Sequence, residues 1–195
     1  MKDKINREKG IVYRTKDLND QGISNYLIGK MIEQGQLIKV THGIYALDDF
    51  KLMQITDINV IIENGVISLL SAAIYYELMD GTKAKCTITL DRNQKPPRIP
   101  YDMFVYIYTT SSLYDVGLNI IDVNGRQVKI YDLERTVCDI LKHRNKYDKQ
   151  LVNKIVYNYL QRDDCDIDKL IAYSKKLRIY NVVKQYLEIL GAFHG

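Results

Sequence analysis

The sequence predicts an α+β protein: an N-terminal winged helix-turn-helix followed by a domain built of a small mixed sheet with helices. Three observations predict it. Within the first 47 residues a helical spacing of apolar residues gives way to a two-residue alternation, in short units separated by glycine. In the middle of the chain, two strand-like runs flank Asn124-Gly125, the dipeptide that favours the tightest hairpin turn. The final third repeats apolar and basic residues at helical spacing.

Taken in order, Lys2 to Lys9 reads as a short polar helix ended by Gly10. TKDLND reads as a second short helix with Thr15 as its cap, left through Gly22, which adopts a positive φ without strain. Ser24 is the N-cap of a third helix, in which Leu27, Ile28, Met31 and Ile32 share one face and Gly35 provides the stop. The runs Leu37 to Thr41 and Ile44 to Leu47 form a hairpin around His42-Gly43. Helix, short helix, glycine turn, helix and hairpin is the order of a winged helix-turn-helix. The domain boundary is predicted near residue 50, giving domains 1–50 and 51–195.

Beyond it, the stretch from Asp48 to Asn64 is mixed with helical character, and Ser68 to Met79 has a helical apolar face. Thr87 to Leu90 and Phe104 to Tyr108 read as strands, and Pro96, Pro97 and Pro100 bar the intervening stretch from a central strand. Asn119 to Val123 and Gln127 to Tyr131 make the second hairpin. Asp132 is placed to cap the helix LERTVCDILKH, and Lys149 to Leu160 and Ile167 to Leu190 continue as helix.

Composition narrows the function classes. The 195 residues, 46% hydrophobic and 27% charged, suffice for one large or two small cores. No apolar run is long enough to span a membrane or act as a signal peptide, which predicts a cytoplasmic protein with no membrane partner. Cys86, Cys138 and Cys165 are widely spaced, and His42, His143 and His194 make no metal-ligand pair, so no disulfide framework, metal or cofactor is expected. Hydrolase, P-loop, zincin and dinucleotide motifs do not occur, and no catalytic residue is assigned. A nuclease-like set of Asp80, Asp91 and Lys95 is weighed against ordinary loop carboxylates, and the ordinary reading is preferred.

The net charge of +4 is modest, but it is unevenly spread: +3 over residues 1–47, −4 over 48–139 and +5 over 140–195. Basic ends around an acidic middle fit a protein that meets phosphate with its ends. If the apolar face of the third helix is buried, Asn25, Tyr26, Gly29, Lys30 and Glu33 face outward. Asn25 suits adenine, Lys30 suits phosphate or guanine, and Ser24 and Thr15 suit phosphate at helix starts. Arg14 and Lys16 are predicted backbone contacts, and Lys39, Thr41, His42 and Tyr45 wing contacts. The predicted partner is double-stranded DNA. His143, Arg144 and Lys146 are predicted to touch DNA or an acidic partner. Tyr75, Tyr76, Tyr106, Tyr108, Tyr157 and Tyr159 are read as half-buried core residues whose hydroxyls reach solvent, or alternatively as an aromatic contact surface, which would fit a protein-interaction module that binds no operator.

Two stretches carry a family resemblance. GISNYLIGKMIEQGQLIKVTHGIYAL, residues 22–47, resembles the winged-helix signature of the AbiEi-type antitoxins of abortive-infection toxin-antitoxin systems. VKIYDLERTVCDILKHRNK, residues 128–146, resembles the signature of their antitoxin domain, and VISLLSAAIYYEL resembles the helix that opens it. The resemblance implies a repressor of its own operon that reads inverted repeats, and an antitoxin to an AbiEii-like nucleotidyltransferase in phage defence, acting without a stable complex. It also implies DNA contacts at Ser24, Asn25, Tyr26, Lys30, His42 and Tyr45.

Overall fold

The computed structural model describes Ile5 and residues 11–47, 55–81, 85–99 and 102–191. These residues fall into two compact units. One gathers the described residues of Met1–Gly65 with those of Lys95–Asp102 and Ile120–Lys129, and the other takes Val66–Gln94, Met103–Asn119 and Ile130–Gly195. The expected helix at Lys2 to Lys9 (Ile5 apart), the boundary at residue 50, Pro100 and His194 lie outside the described residues.

In the first unit, β1 (Val12–Arg14), α1 (Thr15–Asp20), α2 (Asn25–Glu33), β2 (Leu37–Thr41) and β3 (Ile44–Leu47) follow one another. The three strands form an antiparallel sheet in the order β1-β3-β2. This is the element order of a winged helix-turn-helix, with β2 and β3 where the sequence predicts them. Leu18, Ile23, Ile28, Met31, Leu37 and Leu47 are buried together with Ile5 and Tyr13, which fixes α1 and α2 against the sheet. Gly22, at φ +78°, makes the turn between the helices.

The start of α1 departs from expectation. Arg14, not Thr15, holds the cap position, and the Asp17 carboxylate accepts from the Arg14 amide at 2.8 Å. Thr15 instead donates its amide, at 2.9 Å, and its hydroxyl, at 3.3 Å, to the Gly43 carbonyl in the wing turn. A long-range acceptor has taken a side chain that local capping rules assign to the helix.

The first unit continues through α3 (Ile55–Ile61) to Gly65 because α3 supplies the partners that β1 lacks. Asp57 is fully buried and accepts from the amides of Ile11 and Val12 at 3.0 and 2.9 Å. Arg126 donates to the same carboxylate oxygen at 3.1 Å and to the Val12 carbonyl at 2.8 Å. Asn59 accepts from the Lys129 amide and donates to the Gly65 carbonyl. An unpaired buried carboxylate would be costly, and the amides of Ile11 and Val12 with the Arg126 guanidinium are three donors that satisfy Asp57.

The five-stranded sheet has the order β6-β5-β4-β8-β7, from β4 (Val66–Ile67), β5 (Cys86–Asp91), β6 (Phe104–Thr109), β7 (Leu118–Val123) and β8 (Arg126–Tyr131). It is mixed: β5 runs parallel to β6 and β4 parallel to β8, while β4 is antiparallel to β5. Asn124 and Gly125, at φ 55° and 75°, make the predicted tight turn between β7 and β8. In the second unit, α4 (Leu69–Tyr75), α6 (Leu133–Lys142), α7 (Lys149–Leu160), α8 (Ile167–Lys176) and α9 (Tyr180–Ile189) share an apolar core that includes Leu69, Val137, Ile140, Ile155, Leu170 and Val183. A short helix α5 (Ser111–Tyr114) and a 3-10 turn at Arg144–Lys146 complete the unit.

The helical run expected from Ile167 to Leu190 is two helices. Arg178 sits at φ 59°, and the Ile179 amide turns back to the Ser174 carbonyl at 2.9 Å. This is the closing bond of a helix C-terminus, made without the glycine that usually announces it.

Candidate nucleic-acid interface

The buried and open faces of α2 divide as predicted. Ile28 and Met31 are buried, Leu27 and Ile32 pack against the same core, and Ser24, Asn25, Tyr26, Lys30 and Glu33 are exposed. Ser24 caps the helix, its hydroxyl accepting from the Leu27 amide at 3.4 Å. Tyr26 is 70% exposed, the Lys30 ammonium stands 4.8 Å from its ring centre, and no other residue's hydrogen bond holds either side chain among the described residues. Burying one face of a helix obliges its other face to meet solvent or a ligand. Asn19, Gly22, Ser24, Asn25 and Tyr26 line an open concavity where α1 turns into α2, next to the free amides of the α2 N-terminus.

The remaining predicted contacts split into two groups. Lys16, Lys39 and His42 are exposed, with His42 at the tip of the wing, and Thr41 beside it is half-buried. Lys39, directly across from Tyr45 in the register, points a charge outward from β2. Three others have work inside the unit. Arg14 donates to the Asn59 carbonyl at 3.3 Å and lies 3.9 Å from Glu63, Thr15 is held by the wing turn, and Tyr45, in the middle strand opposite Tyr13, packs against the core. The signal missed at Arg14 and Tyr45 is strand β1, a three-residue element too short for periodicity to reveal, and at Thr15 it is the bond back to the wing turn.

The second unit treats its charged residues in the opposite way. Arg135, 2% exposed, donates to Asp139 at 3.0 Å and to the carbonyls of Leu113 and Val116 at 2.8 and 2.6 Å, and its guanidinium covers the Tyr131 ring at 4.2 Å. Gly117 admits this arrangement, since a side chain there would collide with the Arg135 Cβ. Asp132 caps α6, accepting from the Arg135 amide at 2.8 Å, and its second oxygen accepts from Tyr173 and Lys169 at 3.0 and 3.2 Å. Lys169 also reaches the buried Glu134 at 2.9 Å. Burial alone would lower the Lys169 pKa, but the Glu134 and Asp132 carboxylates outweigh it and hold the ammonium charged. The YDLERT stretch is therefore the joint between sheet and helices.

At the end of α6, His143 and Arg144 are half-buried and Lys146 is exposed. Arg144 donates to the Leu141 carbonyl at 3.2 Å. Burial, helped by Lys146 and Lys142, depresses the His143 pKa. Asp80 is exposed and paired with Lys154 at 3.0 Å, while Asp91 accepts from the Asn93 amide at 2.8 Å. Among the described residues no group of three His, Cys, Asp or Glu side chains could hold a metal ion. Burial pushes the Cys86 thiol up to about 11, and Cys138 is raised by the same cause, so both stay protonated at neutral pH. Of the six tyrosines, Tyr75, Tyr108 and Tyr157 are exposed, Tyr76 and Tyr106 half-buried, and Tyr159 is buried. No helix among the described residues is long and apolar enough to cross a membrane.

No family model matches the sequence, and no curated protein does. Among solved structures, the crystal structure of the RV2827C protein from Mycobacterium tuberculosis is similar, with a TM-score of 0.59 at 12% identity, over 97% of this chain and 78% of that one. At that identity the likeness is one of fold: this chain is an α+β protein whose two-sheet architecture has a solved counterpart.

Proposed function

We propose that this protein binds double-stranded operator DNA through α2 and the wing, represses its own operon, and serves as the antitoxin to an AbiEii-like nucleotidyltransferase. The observation that carries the DNA-binding reading is the open face of α2. Asn25 and Tyr26 are exposed in the first turn of α2 and Lys30 in its last turn, beside the Tyr26 ring, while Leu27, Ile28, Met31 and Ile32 on the opposite face pack against the core. Asn25 offers the paired donor and acceptor that match adenine, Lys30 offers charge to phosphate or guanine, and Lys16, Lys39 and His42 extend the contact to the backbone on either side. The antitoxin reading rests on the resemblance of residues 22–47 and 128–146 to the AbiEi-type family. In this reading α6 and its buried charges hold up the antitoxin domain, and its exposed surroundings, Lys146 among them, are what a partner meets.

The test is equilibrium binding of the full chain to the DNA upstream of its own gene, across a salt series, with random duplex as control. Wild type binds its upstream DNA in preference to random duplex, and log K falls linearly with log salt as counterions are released. Substituting Asn25→Ala and Lys30→Ala together weakens specific binding by at least about tenfold, the cost of one base contact and one phosphate contact. Equal affinity for random DNA, unchanged in the double variant, would overturn the reading. Point variants are preferable to deletion of residues 1–50, which would strip Arg126 of the Val12 carbonyl and Asp57 of two donors. The same double variant should still rescue cells from the toxin.

A further inference from the structure

We propose that the outer edge of β6 is a self-association surface, on which two copies of this chain pair antiparallel about a two-fold axis passing through Tyr106. Strand β6 ends the sheet, bonded on one side to β5 and on the other to no strand among the described residues. Its register with β5 is unbroken over six residue pairs, from Cys86↔Phe104 to Asp91↔Thr109. Soluble proteins blunt such edges with charges, prolines or bulges. Phe104-Val105-Tyr106-Ile107-Tyr108-Thr109 has none of these, and Val105 and Tyr108 are 42% and 45% exposed. The opposite edge strand, β7, carries Asp122 and Asn119.

The hydrogen-bond phase of the ladder, together with the aromatic residues on the outward-bonding positions, fits a second copy as the occupant. The Cys86 amide donates to the Met103 carbonyl and the Arg92 amide to the Thr109 carbonyl, so the odd-numbered residues of β6 turn their backbone groups toward β5. The alternate residues, Phe104, Tyr106 and Tyr108, turn theirs outward. A row of three, centred on Tyr106, is symmetric under a two-fold axis. Tyr106 then faces its own copy and Phe104 faces Tyr108 of the second copy, each in a hydrogen-bonded pair. The same three side chains share one face of the strand, where Phe104 and Tyr106 already lie with ring centres 6.1 Å apart. Pairing therefore builds a continuous aromatic row with no like charges opposed. A single edge of this length makes a small interface, so the association should be weak, on the order of 1–100 µM. It does not depend on what α2 binds.

The experiment is sedimentation equilibrium of the full chain across that concentration range, with wild type, Tyr106→Lys and Tyr106→Cys. Wild type forms a concentration-dependent dimer. Tyr106→Lys sets two ammonium groups face to face at the axis and remains monomeric while its circular dichroism is unchanged. Under mild oxidation Tyr106→Cys gives a covalent dimer well above the wild-type background from Cys86, Cys138 and Cys165, because hydrogen-bonded antiparallel pairs bring Cα atoms to about 5.5 Å. A wild type that stays monomeric throughout, or a folded Tyr106→Lys variant that still dimerises, overturns the pairing. If the lysine variant fails to fold, the cysteine variant decides, and no cross-link above background is a negative answer.

Discussion

Helices α2 and α6 both carry charged and polar residues at helical spacing, and the fold uses them in opposite ways. In α2 the polar residues face outward and hold almost nothing: Tyr26 is 70% exposed, and Lys30 leans on its ring. In α6 every residue from Leu133 to Leu141 is buried, including Glu134, Arg135 and Asp139, and each of those charges has a partner at hydrogen-bond distance. Dense charge in a sequence motif is thus no guide to where a ligand sits. A buried charge must be satisfied from within, so the residues that look most functional in YDLERT are bound to their own chain. The quieter NYLIGK stretch is the one with surface to offer.

That contrast can be broken by substitution. The largest effect is expected at Arg135→Ala, which leaves Asp139 and the carbonyls of Leu113 and Val116 without their donor. Losing one partner of a buried pair costs about 3–5 kcal/mol, visible as a lower midpoint in urea denaturation. A loss below about 1 kcal/mol would mean that α6 is not held by its charges. A smaller effect is expected at the end of the same helix. The folded-state pKa of His143 lies below its ordinary value because burial disfavours the charged ring, with Lys146 and Lys142 adding to it. A depressed pKa contributes stability that is present above about pH 6.5 and lost as pH falls through the folded value. His143→Gln should flatten the decline in stability between about pH 7 and 5, and an unchanged slope would assign that decline to other groups. The smallest effect on stability is expected at Asn25→Ala with Lys30→Ala, within about 0.5 kcal/mol of wild type by the same denaturation. A larger loss would show that the open face of α2 supports the fold after all.

The elements legible in the sequence were those whose bonds close within a few residues. Ser24 and Asp132 cap their helices as read, with acceptor and amide three positions apart. The β2–β3 and β7–β8 hairpins fall within a residue or so of their predicted limits because each turn lies between its own strands. Illegible elements depend on distant partners. Strand β4, two residues long, has no periodicity of its own, yet it lies at the centre of the five-stranded sheet because β5 and β8 flank it. Thr15 was readable as a cap only while the wing turn it bonds was out of view. The candidate interface follows the same rule: Asn25, Tyr26 and Lys30 could be placed from the α2 period, whereas Arg14 and Tyr45 could not be seen to be engaged without β1 and α3.

By itself the sequence determined the α+β class, the helix-turn-helix and wing, the turn at Asn124-Gly125 and the outward face of α2, all of which follow from spacing, capping and turn chemistry. Only the tertiary structure decided that Arg126 reaches the buried Asp57, 69 residues away, that Glu134 and Arg135 are interior groups, that β5 and β6 run parallel, and that no strand among the described residues covers the outer edge of β6. The reason is physical. Local bonds are written in neighbouring residues, but burial and strand pairing depend on which distant segments arrive beside them, and the cost of leaving a charge or a backbone amide unpaired is settled only there.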